Sequence, residues 1–232
     1  MAWVLKACSN EGLIQQLQDL SIIKSEIVAE VMKQTDRKYY CPSKHPFIDE
    51  PEPIGCNTKI SSPHIHAYAL ENLSNIIKED SRILDIGSGS GYLAACFARL
   101  IEAKAKLKGV KNSGKVISIE HQPKMADFAI KNLNSDDPNL IGEDKVRIVQ
   151  GDGRKGYTQY APYDVIHVGA AVQDVPNDLL LQLNLGGRMV VPIGEKGEDK
   201  QMIQYDRISN YEIVKTMLSS VLYVPLEDLK ES

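Results

Sequence analysis

No run of apolar residues in this sequence approaches the roughly 20 needed to span a bilayer. The opening Met1-Ala2-Trp3-Val4-Leu5-Lys6 passes straight into polar residues, which is not the pattern of a secretory leader. Neither a membrane partner nor export is expected, and the cytosol is the expected compartment. Cysteine is scarce: Cys8, Cys41, Cys56 and Cys96 form no C-x-x-C pair, which removes the usual zinc spacings. In a reducing compartment each thiol reads as a small packing residue. His64 and His66 stand two apart and cannot share a helix face, so no metal site is expected. An excess of positive charge is missing too. The net charge is −4 at pH 7, which gives no general attraction for nucleic acid. Internal repeats and low-complexity tracts are absent, and the lysines between 104 and 115 read as a solvated helix end and loop.

What is present suits a globular fold. With 232 residues, 43% apolar and 25% charged, the chain can bury a core without staples and is expected to form one domain, 1–232. Asn10 is the expected N-cap of a first helix with Leu13, Ile14, Leu17 and Leu20 on one face. Ser25 is the expected cap of a second, with Ile27, Val28, Val31 and Met32 inward. Residues 36–63, carrying Pro42, Pro46, Pro51, Pro53 and Pro63, lack such a period and read as a long loop. Loops of that length tend to be functional. Pro63 opens a helix running to about residue 77. Strands then alternate with helices. Strands are expected at 82–86, 115–120, 146–150, 163–168 and 187–192, and helices at 92–105, 123–133 and 176–183. Two further strand runs follow at 201–206 and 213–224. This order predicts an α/β fold with a doubly wound, mostly parallel sheet and N-terminal helices. His167, in the middle of an apolar strand, reads as a satisfied core histidine.

The sharpest local signal is Ile83-Leu84-Asp85-Ile86-Gly87-Ser88-Gly89-Ser90-Gly91-Tyr92. An apolar strand enters a glycine turn, and a helix begins. Glycines permit the tight turn and let a ligand approach the backbone, while the helix start offers free N–H groups. The spacing is G-x-G-x-G, with Tyr92 where dinucleotide folds place the last glycine of G-x-G-x-x-G. Asp85 puts an anion beside the turn, which suits a cationic, amine-bearing ligand such as S-adenosylmethionine better than a pyrophosphate. Glu120, ending the next strand, fits a reader of vicinal ribose hydroxyls, although its spacing from Gly87 exceeds the usual roughly 20 residues. Part of the excess could be an insertion over 104–113. A third strand end, Gly151-Asp152-Gly153, can receive an adenine amine. Three acidic strand ends in succession place one ligand over the carboxyl edge of the sheet.

Taken together, these stretches resemble the protein-L-isoaspartate (D-aspartate) O-methyltransferase family over nearly the whole length. Met1-Ala2-Trp3, Thr35-Asp36-Arg37, Pro53-Ile54-Gly55 and Ile60-Ser61-Ser62-Pro63-His64-Ile65-His66-Ala67 carry the first half. Gly151-Asp152-Gly153-Arg154, Ala161-Pro162-Tyr163-Asp164, Ile166-His167-Val168-Gly169-Ala170-Ala171, Gly186-Gly187-Arg188 and Tyr223-Val224-Pro225-Leu226 carry the second. The resemblance implies a Rossmann-like class I S-adenosylmethionine-dependent methyltransferase. Residues 1–80 would form a helical and substrate-loop region, 81–195 the cofactor-binding core, and 196–232 C-terminal strands. It implies methyl transfer to the free carboxylate of isoaspartyl or D-aspartyl residues in damaged proteins, with S-adenosylhomocysteine as by-product, and a monomer.

By the same resemblance Ser61 is the active-site residue. Thr58, Lys59, Ile60, Ser61, His66, Asp85, Gly87, Ser88, Gly89, Ser90, Glu120, His121, Asp152 and Gly153 would contact the cofactor. Departures from the family pattern are Lys59, Ser62, Glu227 and the longer lysine-rich insertion. A carboxylate needs no strong base to attack a sulfonium methyl, so Ser61 is expected to hold one carboxylate oxygen by a hydrogen bond. Ser61 could equally be the N-cap of the helix after Pro63, and both roles can coexist. The loop at 42–63 and the run 222–226 are the expected walls of a peptide groove. The rival readings are a methyltransferase acting on a small molecule or RNA, a dinucleotide oxidoreductase, and a cofactor binder without activity.

Overall fold

Ser9, not Asn10, caps the first helix, α1 (Asn10–Asp19): its hydroxyl accepts from the Gly12 amide. Asn10 sits inside the first turn, buried, and its amide donates to the carbonyls of Met32 and Lys33 at 2.9 and 3.1 Å. Those carbonyls belong to the last turn of α2 (Glu26–Gln34), so Asn10 closes a neighbouring helix rather than opening its own. Ser25 does precede α2, yet its hydroxyl donates to Glu71 Oε1 at 2.8 Å and makes no cap bond. The structure, a computed structural model, describes residues 6–195 and 200–221. Met1-Ala2-Trp3, residues 222–226 and Glu227 lie outside the described residues.

The proline-rich stretch is not wholly loop. It folds a hairpin of β1 (Glu52–Gly55) and β2 (Thr58–Ile60). Cys56 and Asn57 form its two-residue tip with φ of 48° and 56°. Two positive φ values give the tight turn whose twist matches the flanking strands. Pro63 then opens α3 (Pro63–Ser74), which stops short of the expected residue 77. Next come β3 (Arg82–Ile86), α4 (Tyr92–Lys108), β4 (Lys115–Glu120), α5 (Pro123–Asp136), the single turn α6 (Asn139–Gly142) and β5 (Val146–Gln150). β6 (Tyr163–Val168), α7 (Asn177–Gln182), β7 (Leu183–Ile193), β8 (Lys200–Arg207) and β9 (Ile213–Val221) complete the order. α4 outruns its expected end because Gly109, left-handed at φ 65°, supplies the cap further on. β7 begins earlier than expected, pairing Leu183 with Tyr163 before a register shift leads to Val165 and Arg188.

The seven-stranded sheet runs β5-β4-β3-β6-β7-β8-β9. Pairs from β5 to β7 are parallel, and β8 and β9 join antiparallel. The chain winds outward from β3 to β5, then returns to lay β6 on the other side of β3. That reversal is the switch point where open α/β sheets bind ligands, outside the carboxyl strand ends. Alternation divides the strands. Ile83, Val116, Val165 and Val190 pack under the α1–α5 side, whereas Leu84, Ile86, Ile117, Ile166 and Val168 join Leu179 of α7 on the opposite face. The N-terminal helices are pinned by one carboxylate. Asp136 Oδ2 accepts from Arg99 Nη1 at 2.6 Å and from the Tyr40 hydroxyl at 2.5 Å. Arg99 also donates to Thr35 Oγ1 at 2.9 Å, which fixes residues 35–40 against α4. Among the described residues no helix is long and apolar enough to cross a membrane, and no group of three metal-ligating side chains occurs.

Candidate active site

Three glycines make the bend after β3. Gly87, Gly89 and Gly91 take φ of 86°, 50° and 84°, a region side chains avoid. The bend is tied to its neighbour by Gly87 N and Ser88 N, both donating to Ile119 O. Glu120, buried at the end of β4, accepts from Gly89 N at 3.1 Å through Oε2 and from Gln122 N at 3.1 Å through Oε1. Oε1 also lies 3.1 Å from His121 Nδ1. The strand-end acid therefore stands directly against the glycine bend. At the end of β5, Gly153 is forced to be glycine: a Cβ there would lie 2.3 Å from Ile86 Cγ2. Asp152 beside it takes a two-pronged contact from Arg154, whose hydrogen bond holds the carboxyl below its ordinary pKa.

Asp85 sits differently from the expectation. Its carboxylate is 2% exposed, with Oδ1 against His167 Nδ1 at 2.8 Å and Oδ2 accepting from the Ser118 hydroxyl at 2.7 Å. Ser118 lies 2.9 Å from the Ser88 hydroxyl. Asp85 thus lies under the bend, facing the core, with His167 and Ser118 on its two oxygens. Its oxygens are committed to holding β3, β4 and β6 in register beneath the turn. His167 is the satisfied core histidine expected. Ser90 is held from behind by Asn132 Nδ2, which donates to its carbonyl at 3.0 Å.

The β1–β2 hairpin lies over this bend. A methyl added at Gly89 would meet Ile54 Cδ1 of β1 at 3.7 Å. Gln122 Nε2, just past Glu120, reaches Cys56 O at 3.4 Å and Thr58 Oγ1 at 3.5 Å. Along β2 the Ile60 side chain points into the core, Lys59 points to solvent and Thr58 faces Gln122. Any contact of Ile60 with a ligand must therefore run through its backbone.

Ser61 follows at once. Its carbonyl accepts from Arg37 Nη2 at 2.7 Å, and its hydroxyl makes no hydrogen bond among the described residues. Ser62, not Ser61, occupies the N-cap of α3. The capping alternative for Ser61 falls away, leaving a half-buried hydroxyl without a hydrogen-bond partner among the described residues. His66, one turn into α3, packs on Tyr92 with ring centroids 4.8 Å apart and planes tilted by 32°, and Tyr92 is the first residue after the bend. Burial, then the Arg37 charge, push the His66 pKa well below 6.5, so the ring is neutral at pH 7. His64 instead anchors the loop, with its amide and ring bonded to Asp49 at 2.9 and 2.8 Å.

Ser61, His66, the glycine bend and Glu120 are thus gathered at one edge. Sequence reasoning gave no role to Arg37, Ser118, Gln122 or Asn132. Ser118 had one visible signal, a lone hydroxyl in an otherwise apolar strand. A surface cavity of about 490 Å³ lies along the hairpin from Pro53 to Lys59. A cavity of about 680 Å³, lined by Lys78, Asp80, Arg82 and Asp164, opens at the amino ends of β3 and β6. The larger one is on the wrong edge of the sheet for a ligand of this fold.

Comparison with known proteins identifies the family. The family model for protein-L-isoaspartate(D-aspartate) O-methyltransferase matches residues 8–231. A protein-L-isoaspartate O-methyltransferase of Caenorhabditis elegans is 37% identical over 231 residues, covering 100% of this chain and 98% of that protein. One from Arabidopsis thaliana is 36% identical over 219 residues, covering 94% of this chain and 90% of that protein. A crystal structure of such an enzyme from Plasmodium falciparum, in complex with S-adenosyl-L-homocysteine, has a TM-score of 0.86 at 30% identity. It covers 95% of this chain and 99% of that one.

Proposed function

Because the chain belongs to the protein-L-isoaspartate(D-aspartate) O-methyltransferase family, we propose that it transfers a methyl group from S-adenosylmethionine to the free carboxylate of isoaspartyl and D-aspartyl residues in damaged polypeptides. The observation that supports this reading is the hairpin over the glycine bend, with Ser61 following directly on its second strand.

The residues present fit the cofactor. The positive-φ bend leaves backbone open to close approach, and Gly153, packed on Ile86, keeps the end of β5 against β3 beside it. Glu120 supplies a carboxylate for a diol, and Asp152 one for an amine. Thr58, Ser61, His66, Ser90, His121 and the backbone of residues 59–60 complete the proposed wall. S-adenosylmethionine supplies a sulfonium methyl that accepts an electron pair from the carboxylate as the carbon–sulfur bond breaks.

The chain's own task is alignment. A carboxylate with a reference pKa near ~3.9 is already ionised at neutral pH, so no general base is required. Ser61 Oγ donates to one carboxylate oxygen and leaves the other to attack. Neutral His66 and Tyr92 close the site from the α3 side and limit water. The same reading expects the chain to act as one methyltransferase unit, monomeric and cytosolic, without nucleic acid or membrane.

The test supplies labelled S-adenosylmethionine with paired peptides differing only in an aspartyl or isoaspartyl linkage. Label transfer confined to the isoaspartyl peptide is expected. Equal labelling of both, or transfer only to a small molecule or RNA, would overturn the proposal.

A further inference from the structure

Arg37 is a buried cation with an unfinished set of partners. Its side chain is among the largest fully buried ones, 1% exposed. Nη2 donates to Ser61 O at 2.7 Å, and Nη1 lies 3.4 Å from His66 Nδ1. Nε has no partner among the described residues. No carboxylate among the described residues forms an ion pair with it. Asp49 is taken by His64, and Glu52 acts only at longer range. The Tyr92 ring, 5.7 Å from Cζ, offers a π face but no negative charge.

Buried charges are ordinarily paired, because desolvating a lone ion is costly. A fold that retains one invites a charge from elsewhere. The guanidinium grips the carbonyl of Ser61, and a serine's own carbonyl and hydroxyl oxygens lie within roughly 5 Å of one another by covalent geometry. An anion held by the Ser61 hydroxyl would therefore sit close to Arg37 in a low-dielectric setting. Nη1 facing His66 Nδ1 also selects the tautomer with its proton on Nε2, which keeps that ring from adding a second cation.

Resting on the function proposed above, we infer that Arg37 is a positioning and charge-complementing residue for the substrate carboxylate, acting through Ser61 without touching the reacting atoms. It fixes the Ser61 backbone and supplies the counter-charge that makes the pocket prefer an ionised carboxyl over a neutral isostere. The guanidinium is engaged with the Ser61 carbonyl, so it acts on the bound carboxylate through space and leaves the attacking oxygen free.

The experiment compares full-length wild type with Arg37→Lys and Arg37→Gln. Both replacements keep a hydrogen-bond donor, and only the first keeps the charge. Two probes are used: an isoaspartyl peptide, and the same peptide with its free carboxylate replaced by a carboxamide, read as a competitive inhibitor. Wild type should bind the carboxylate peptide more tightly, by about tenfold or more at reduced dielectric. Arg37→Gln should erase most of that preference and raise KM more than it lowers kcat. Arg37→Lys should restore a good part, and S-adenosylhomocysteine affinity should fall by a smaller factor than peptide affinity in both. Equal binding of the two peptides by wild type would overturn the inference, as would an unchanged preference in Arg37→Gln. Cofactor affinity falling as far as peptide affinity would overturn it as well. Absence of any transfer by wild type would instead overturn the functional reading, and this inference with it.

Discussion

Ser61 and His66 are a few residues apart and are governed by opposite physics. The Ser61 hydroxyl has no hydrogen-bond partner among the described residues, so removing it costs the fold little. Ser61→Ala is expected to leave the melting temperature within a degree or two while lowering kcat/KM on the order of 10²-fold, the scale of a lost positioning bond. Thermal melts beside steady-state kinetics separate the two effects. His66 is held neutral by burial, its pKa pushed down from 6.5. The unfolded chain therefore takes up a proton that the folded chain refuses. This stability is fully present above pH 6.5 and falls progressively as pH drops below it, toward the depressed folded value. Urea midpoints at pH 7.5 and 5.5 should show that loss, with a shallower slope in His66→Gln. Gly153 is governed by sterics alone. Gly153→Ala would drive a Cβ to 2.3 Å from Ile86 Cγ2 and should destabilise the fold by about 1–3 kcal/mol, measurable by denaturant titration.

The element that decides the site is the β1–β2 hairpin, and its tip is not ideally chosen. Asn57 tolerates a left-handed backbone, but Cys56, at φ 48°, carries a β-carbon into it. Cys56→Asn should raise stability by roughly 0.5–1 kcal/mol without changing cofactor affinity. A higher denaturant midpoint at constant m would bear this out. The hairpin was also the element least legible from sequence. Its strands are too short to show alternation, β1 contains Pro53, and its tip lacks the Asn-Gly or Asp-Gly pair that announces such turns. By contrast β3, β4 and β6 fall where the apolar runs place them, since buried parallel strands leave nearly continuous apolar signatures, and β5, at the sheet edge, falls in place too. Caps were legible only in part. Ser9 and Asn10 are both good capping types, and the choice was made by packing: Asn10 could reach the open carbonyls of α2, a contact no local pattern encodes.

Across the whole molecule, sheet topology assembles the site. Glu120, Asp152 and the glycine bend meet because β3, β4 and β5 are adjacent and parallel, and all three signals stood at strand ends in the sequence. The inward role of Asp85 was not readable there. Its partners Ser118 and His167 come from the strands on either side of β3, so only the completed sheet shows that the acid lies beneath the bend. Arg37 likewise gains meaning only when residues 35–40 are clamped on α4 and brought against Ser61. The central claim is that the hairpin delivers Ser61 to a cofactor seated on the glycine bend. A crystal structure with S-adenosylhomocysteine and an isoaspartyl peptide tests it most directly. The account predicts the thioether sulfur over residues 87–91, the ribose on Glu120, and a substrate carboxylate oxygen within hydrogen-bonding distance of Ser61 Oγ. A cofactor seated elsewhere, or a carboxylate bound away from Ser61, would contradict it.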